Sequence, residues 1–74
     1  MTEEILKEKR EAIGKQIRET RNEKGLSLRE LAEKAGLKYN YIAGVERGEA
    51  NITLDNLNRI TAPLGLEARL EPKQ

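Results

Sequence analysis

The sequence predicts an all-α domain of four main helices followed by one short C-terminal β-strand. Three observations carry that prediction. Apolar residues recur at three- and four-residue intervals in successive segments between Thr2 and Ala62. Capping hydroxyls and turn glycines, Ser27, Gly36, Gly48, Thr53 and Gly65, fall between those segments. From Leu66 the period changes to two: Leu66, Ala68 and Leu70 alternate with Glu67, Arg69 and Glu71, and Pro72 ends the run. Residues 1–65 therefore form the helical domain, 66–71 the strand and 72–74 a tail.

The first helix runs from Thr2 to Lys24, with no proline and Gly14 as its single glycine before the Asn22–Gly25 stop. Ile13 and Ile17 lie four apart, and Ile5 and Leu6 extend the apolar side toward an otherwise charged N-terminus that is solvated or frayed. A mid-helix glycine costs about 1 kcal/mol relative to alanine, so Gly14 predicts close helix packing. Leu26 follows the stop and folds back into the core.

The second helix opens at Ser27, with Glu30 at the capping-box spacing, and ends near Ala35 before Gly36. The third runs from Lys38 to about Glu46. Two short helices joined by a tight glycine turn make a helix-turn-helix, whose second helix is suited to a DNA major groove. An ordinary helical hairpin is the alternative. On a helical wheel Tyr41, Ile42, Val45 and Glu46 share the core side, and Tyr39, Asn40, Ala43, Gly44 and Arg47 share the outer side. A merely solvated helix would more often carry glutamate and lysine on that outer side. Thr53 caps a fourth helix with the stripe Leu54, Leu57 and Ile60, which ends or kinks before Pro63.

A strand in a helical domain of this size leaves its backbone groups unpaired. The simplest partner is the same strand of a second subunit, so Leu66, Ala68 and Leu70 are the expected dimerisation residues. A disordered tail or a fifth short helix are the alternatives. A domain of 74 residues is marginal alone, burying only about 60% of its unfolded surface, which also favours association.

Composition excludes several classes. There is no histidine or cysteine, so neither a usual zinc site nor a disulfide is expected, and no cofactor is called for. No nucleophile stands beside a base, and no glycine loop suits a phosphate, so an enzyme is not expected. No apolar run approaches the roughly 20 residues of a membrane span, and no secretory signal is present, which predicts a cytoplasmic protein. The net charge of +1, from 14 basic and 13 acidic residues, is against nucleic-acid binding, where a basic domain is usual.

The segments 13–27, 30–37, 41–48 and 51–57 together resemble the Cro/C1-type (XRE) helix-turn-helix family. The resemblance implies a lambda-repressor-like all-helical fold whose third helix reads bases. It also implies a homodimeric, sequence-specific regulator of transcription, a repressor on a pseudo-palindromic operator of double-stranded DNA. By the same resemblance Lys38, Tyr39, Asn40, Ala43 and Gly44 are the base-reading positions. Leu28, Arg29, Tyr41, Arg47, Glu49 and Asn51 meet the DNA backbone, in part through main-chain amides. Arg21 pairs with Glu46 as a structural link. Three departures stand out: leucine at position 28, where relatives carry a phosphate-binding glutamine; the small Ala43 and Gly44; and the strand pattern after Leu66. The last resembles HipB- and HigA-type antitoxins, which implies a toxin partner as one alternative. A protein-interaction module that has lost DNA binding is another.

Overall fold

A computed structural model describes residues 2–67 of the chain. Four α-helices follow in order: α1 Glu3–Glu23, α2 Leu28–Ala35, α3 Tyr39–Glu46 and α4 Leu54–Thr61. A 3-10 turn, Ala62–Leu64, extends α4. Each expected helix is present within a residue or two of its expected ends.

Local chemistry sets the boundaries. Thr2, Ser27 and Thr53 each accept a bond from an amide three residues on, so three helices begin at a hydroxyl cap. At α2 the box is complete: the Ser27 hydroxyl accepts from the Glu30 amide at 3.0 Å, and the Ser27 amide donates to the Glu30 carboxylate at 2.9 Å. Gly36 ends α2 in the left-handed conformation, φ 68°, where a Cβ would be disfavoured. Pro63 sits inside the 3-10 turn, after the last α-helical residue, where its missing amide breaks no helical bond.

The core is small. Ile17 of α1, Leu31 of α2, Ile42 of α3, Ile60 of α4 and Leu64 of the 3-10 turn are all at most 2% exposed. Leu26 and Ile13 pack against them half-buried. Thus α1 and α4 brace the α2–α3 pair, with α1 lying mainly on α3.

Two expectations change. Leu54 is 65% exposed, so the stripe on α4 reaches the core through Ile60 and half-buried Leu57, not through its first residue. It opens the helix, whereas the buried contacts belong to the far end, Ile60 and Thr61. The second concerns the strand. Leu66 and Glu67 lie in no strand, and Ala68 to Glu71 fall outside the described residues. Among the described residues there is no strand. Instead the Leu66 amide donates to the Thr61 carbonyl at 3.0 Å and the Gly65 amide to the Ala62 carbonyl at 3.1 Å. With Gly65 left-handed, these bonds satisfy helix-end carbonyls. Leu66 packs against the core of its own subunit. Among the described residues no helix is long and apolar enough to cross a membrane.

Candidate nucleic-acid interface

The site is built on α3. Its inner face holds Ile42, Val45 and Glu46, all buried. A carboxylate that is 5% exposed demands a partner, and Arg21 of α1 supplies it. Arg21 Nε donates to Glu46 Oε2 at 2.7 Å and Nη2 to Oε1 at 3.0 Å, a two-pronged pair. The remaining Arg21 nitrogen, Nη1, donates to the Leu26 carbonyl at 2.9 Å. The bonds to Glu46 raise the Arg21 pKa above its ordinary value, although burial pulls the other way. The pairing implied for Arg21 and Glu46 is therefore present.

Two further contacts seat α3 on α1. Gly14 is buried against the end of α3, and a Cβ there would run into the carbonyl oxygens of Val45 and Glu46. Arg18 Nη2 donates to the Glu46 carbonyl at 3.3 Å. Close packing is thus the reason for glycine at position 14.

Tyr39, Asn40 and Arg47 on the other face are exposed, and Ala43 is half-buried. Lys38 is exposed and caps the helix without a side-chain bond. The amides of Tyr39 and Asn40 donate to nothing among the described residues, so the start of α3 presents open donors beside a lysine.

Gly44 is not on this outer face; it is buried. The wheel puts it outward, but the loop after α3 folds back over it. Gly48 makes the reversal at φ 76°. The amides of Glu49 and Ala50 both donate to the Gly44 carbonyl, at 2.9 and 3.3 Å. The methyl of Ala50 lies 3.5 Å from where a Gly44 Cβ would stand. A wheel contains only the helix, so it cannot register a loop that covers one of its faces. The same bonds revise Glu49, whose amide is directed into the chain and not outward. Its carboxylate accepts from Arg47 Nε at 2.9 Å, in an exposed ion pair.

The loop is tied at Asn51 by two bonds, and a third bond fixes the tyrosine that makes one of them. Arg10 Nη2 donates to Asn51 Oδ1 at 2.6 Å. The Tyr41 hydroxyl donates to the Asn51 carbonyl at 3.1 Å and lies 3.4 Å from Asn56 Nδ2, which donates to it. Half-buried Tyr41 is accordingly a loop anchor. At the other side of the turn, Leu28 is half-buried against the core, while its amide and that of Arg29 have no acceptor among the described residues. Sequence reading missed the Arg10, Arg18 and Asn56 contacts. Arg10 and Asn51 are 41 residues apart, and no periodicity within one element links them.

Lys38, Tyr39 and Asn40 are thus brought together at the exposed start of α3, with the free α2 amides and Arg29 nearby. Arg29 stands over the Tyr39 ring, 5.0 Å from its centroid. Arg47 and Glu49 pair just past the far end of α3, and Asn51 follows in the loop, held by Arg10 and Tyr41.

Residues 17–70 match a family profile described as Helix-turn-helix. The transcriptional regulator SinR of Bacillus subtilis is 43% identical over 53 residues, 70% of this chain and 48% of SinR, so the chain spans about half the length of that regulator. The control protein C.BamHI of Bacillus amyloliquefaciens is 34% identical over 58 residues, 77% of this chain and 72% of that protein. Among solved structures, the restriction-modification controller protein C.AhdI from Aeromonas hydrophila matches with a TM-score of 0.76 and 39% identity, over 80% of this chain and 89% of that one. With the helix order, the buried Arg21–Glu46 link and these likenesses together, the chain belongs to the Cro/C1-type (XRE) helix-turn-helix family.

Proposed function

We propose that the protein is a sequence-specific regulator of transcription that binds double-stranded DNA as a homodimer and represses from a pseudo-palindromic operator. The observation that carries this is α3 itself. One face is locked to α1 through Arg21, Glu46 and Gly14, and the other offers Tyr39 and Asn40 to solvent beside Lys38. A rigid helix with exposed amide, phenol and ammonium groups suits base edges in a major groove. Asn40 pairs with adenine through both amide atoms, Tyr39 packs on thymine methyls, and Lys38 meets a phosphate or guanine. Buried Gly44 contributes no base contact, and Ala43 offers only a methyl group, so specificity rests on the first turn of α3.

The open amides of Leu28 and Arg29 supply phosphate donors at the start of α2, as helix N-termini do. Arg47 serves the backbone at the other end of α3, and Asn51 serves it from the loop that follows. The likenesses to a transcriptional regulator, a control protein and a restriction-modification controller protein support this reading over an enzyme. A dimer reads two half-sites one helical turn apart, about 34–36 Å. The antitoxin reading, with a toxin partner, rests on the strand pattern at 66–71, most of which lies outside the described residues. A module that binds protein instead of DNA is favoured by the net charge of +1.

Selection of duplexes from a random pool, followed by anisotropy titration at several salt concentrations, tests the proposal. A two-fold symmetric site bound far more tightly than scrambled DNA is the expected result. Asn40→Ala should then relax one base pair per half-site. No enrichment, with weak binding even at low salt, would overturn the regulator reading in favour of a protein partner.

A further inference from the structure

Arg29 is the second residue of α2, and Tyr39 is the first residue of α3. The Arg29 guanidinium carbon lies over the Tyr39 ring, 5.0 Å from its centroid. Both side chains are at the surface, Tyr39 with 40% of its area exposed. A guanidinium attracted to an aromatic ring spends no N–H group on a hydrogen-bond acceptor, so its five N–H groups remain available as donors. Among the described residues Arg29 has no ion pair or side-chain hydrogen bond. The stack also narrows the rotamers of two long side chains, so less entropy remains to be lost on binding.

The direction of the side chain matters. The open amides of Leu28 and Arg29 already equip the start of α2 to meet a phosphate. The Arg29 side chain leans away from that helix, onto the first residue of α3. There it joins Lys38 and Asn40, at the turn that carries the exposed polar groups.

We propose that Arg29 and Tyr39 act as one specificity-determining unit, in which the Tyr39 ring is a platform and the Arg29 fork donates to O6 and N7 of a guanine in each half-site. This rests on the reading that α3 enters a DNA major groove. It makes Arg29, a helix α2 residue, a base reader and not a backbone contact. It gives Tyr39 a role carried by its ring and not its hydroxyl.

The test uses the full chain, the duplex selected by the wild-type protein, and a set of duplexes with each base pair replaced in turn. Affinities are measured by anisotropy at two salt concentrations for wild type, Arg29→Ala, Tyr39→Phe and Tyr39→Ala, with circular dichroism confirming that each variant is folded. Arg29→Ala should abolish the preference for one G·C pair per half-site, a loss of roughly 10- to 100-fold in discrimination, and leave other positions intact. Tyr39→Phe should keep that preference, and Tyr39→Ala should relax the same position. The proposal is overturned if Arg29→Ala weakens all duplexes alike and lowers the salt slope by about one per subunit, the mark of a phosphate contact. It is equally overturned if Tyr39→Ala leaves the Arg29-dependent position untouched. If wild-type protein selects no site, the DNA reading itself fails and this proposal with it. If wild-type protein selects a site but Arg29→Ala keeps the full preference, only this proposal falls.

Discussion

Glu46 receives two bonds from Arg21 while only 5% exposed, and its own carbonyl accepts from Arg18. Removing the carboxylate strands a mostly buried guanidinium, which typically costs 3–5 kcal/mol for a buried pair. Arg47 and Glu49 form a bond of similar length, 2.9 Å, but are 57% and 64% exposed, so water screens them. Urea unfolding should therefore show Glu46→Ala destabilised by about 3 kcal/mol and Arg47→Ala by less than about 1 kcal/mol. Equal losses would mean that burial does not decide the worth of these pairs. Two glycines make a second contrast. Gly14 and Gly44 both lie within helices, where alanine is intrinsically better by about 1 kcal/mol. At Gly14 a Cβ meets main-chain carbonyls, the Glu46 oxygen at 2.5 Å, and main chain yields little. At Gly44 it meets only the Ala50 methyl, at an ordinary 3.5 Å. Thermal unfolding should place Gly14→Ala below wild type, by about 1–3 kcal/mol from overpacking, and Gly44→Ala slightly above it.

The α2 capping box is the element whose strength depends on pH. The amide and hydroxyl of Ser27, bonded to Glu30, hold its carboxyl pKa below the ordinary glutamate range, with the amide bond contributing most. A lowered folded pKa means that the unfolded chain binds the extra proton first. The stabilisation is thus complete above the unfolded glutamate pKa and is lost as pH falls through the folded one. Ser27→Ala should lower stability at neutral pH by about 1 kcal/mol, the usual worth of such a cap. Glu30→Gln, which removes the titrating carboxyl, should show an unfolding midpoint that falls less steeply between neutral pH and the acid range than that of wild type. An unchanged acid slope would separate the box from the titration. Neighbouring α3 has no such cap, since the Lys38 side chain makes no bond to its helix start. That helix start is held by packing, which leaves its donors open for a ligand.

Association belongs to the whole molecule. Among the described residues five side chains are at most 2% exposed, a small core to hold four helices. Sedimentation at increasing concentration should give a dimer if the proposed repressor reads a symmetric site. Truncation after Glu67 tests the strand: conversion to monomer supports pairing through Ala68 and Leu70, and a persistent dimer assigns the interface to the helical domain. Leu66 is already packed against its own core, so it contributes less to any such interface than the alternation suggests.

The sequence by itself determined the helices and their ends, because capping and turn formation are settled by residues three to six positions apart. Ser27 with Glu30, Gly36, Thr53 and the arrest at Pro63 are all of this kind. It also determined the Arg21–Glu46 link, through likeness to a family, and the tight approach at Gly14, through the oddity of a glycine in a long helix. Only the tertiary structure decided which residues of α3 remain free. Gly44 is covered by a loop reversing at Gly48, Asn51 is held by Arg10 from 41 residues away, and Arg29 lies on Tyr39 across the turn. Periodicity reports the geometry of one helix and is silent about what folds over it, whereas the open face of α3 is set by neighbours that meet only when the chain is closed.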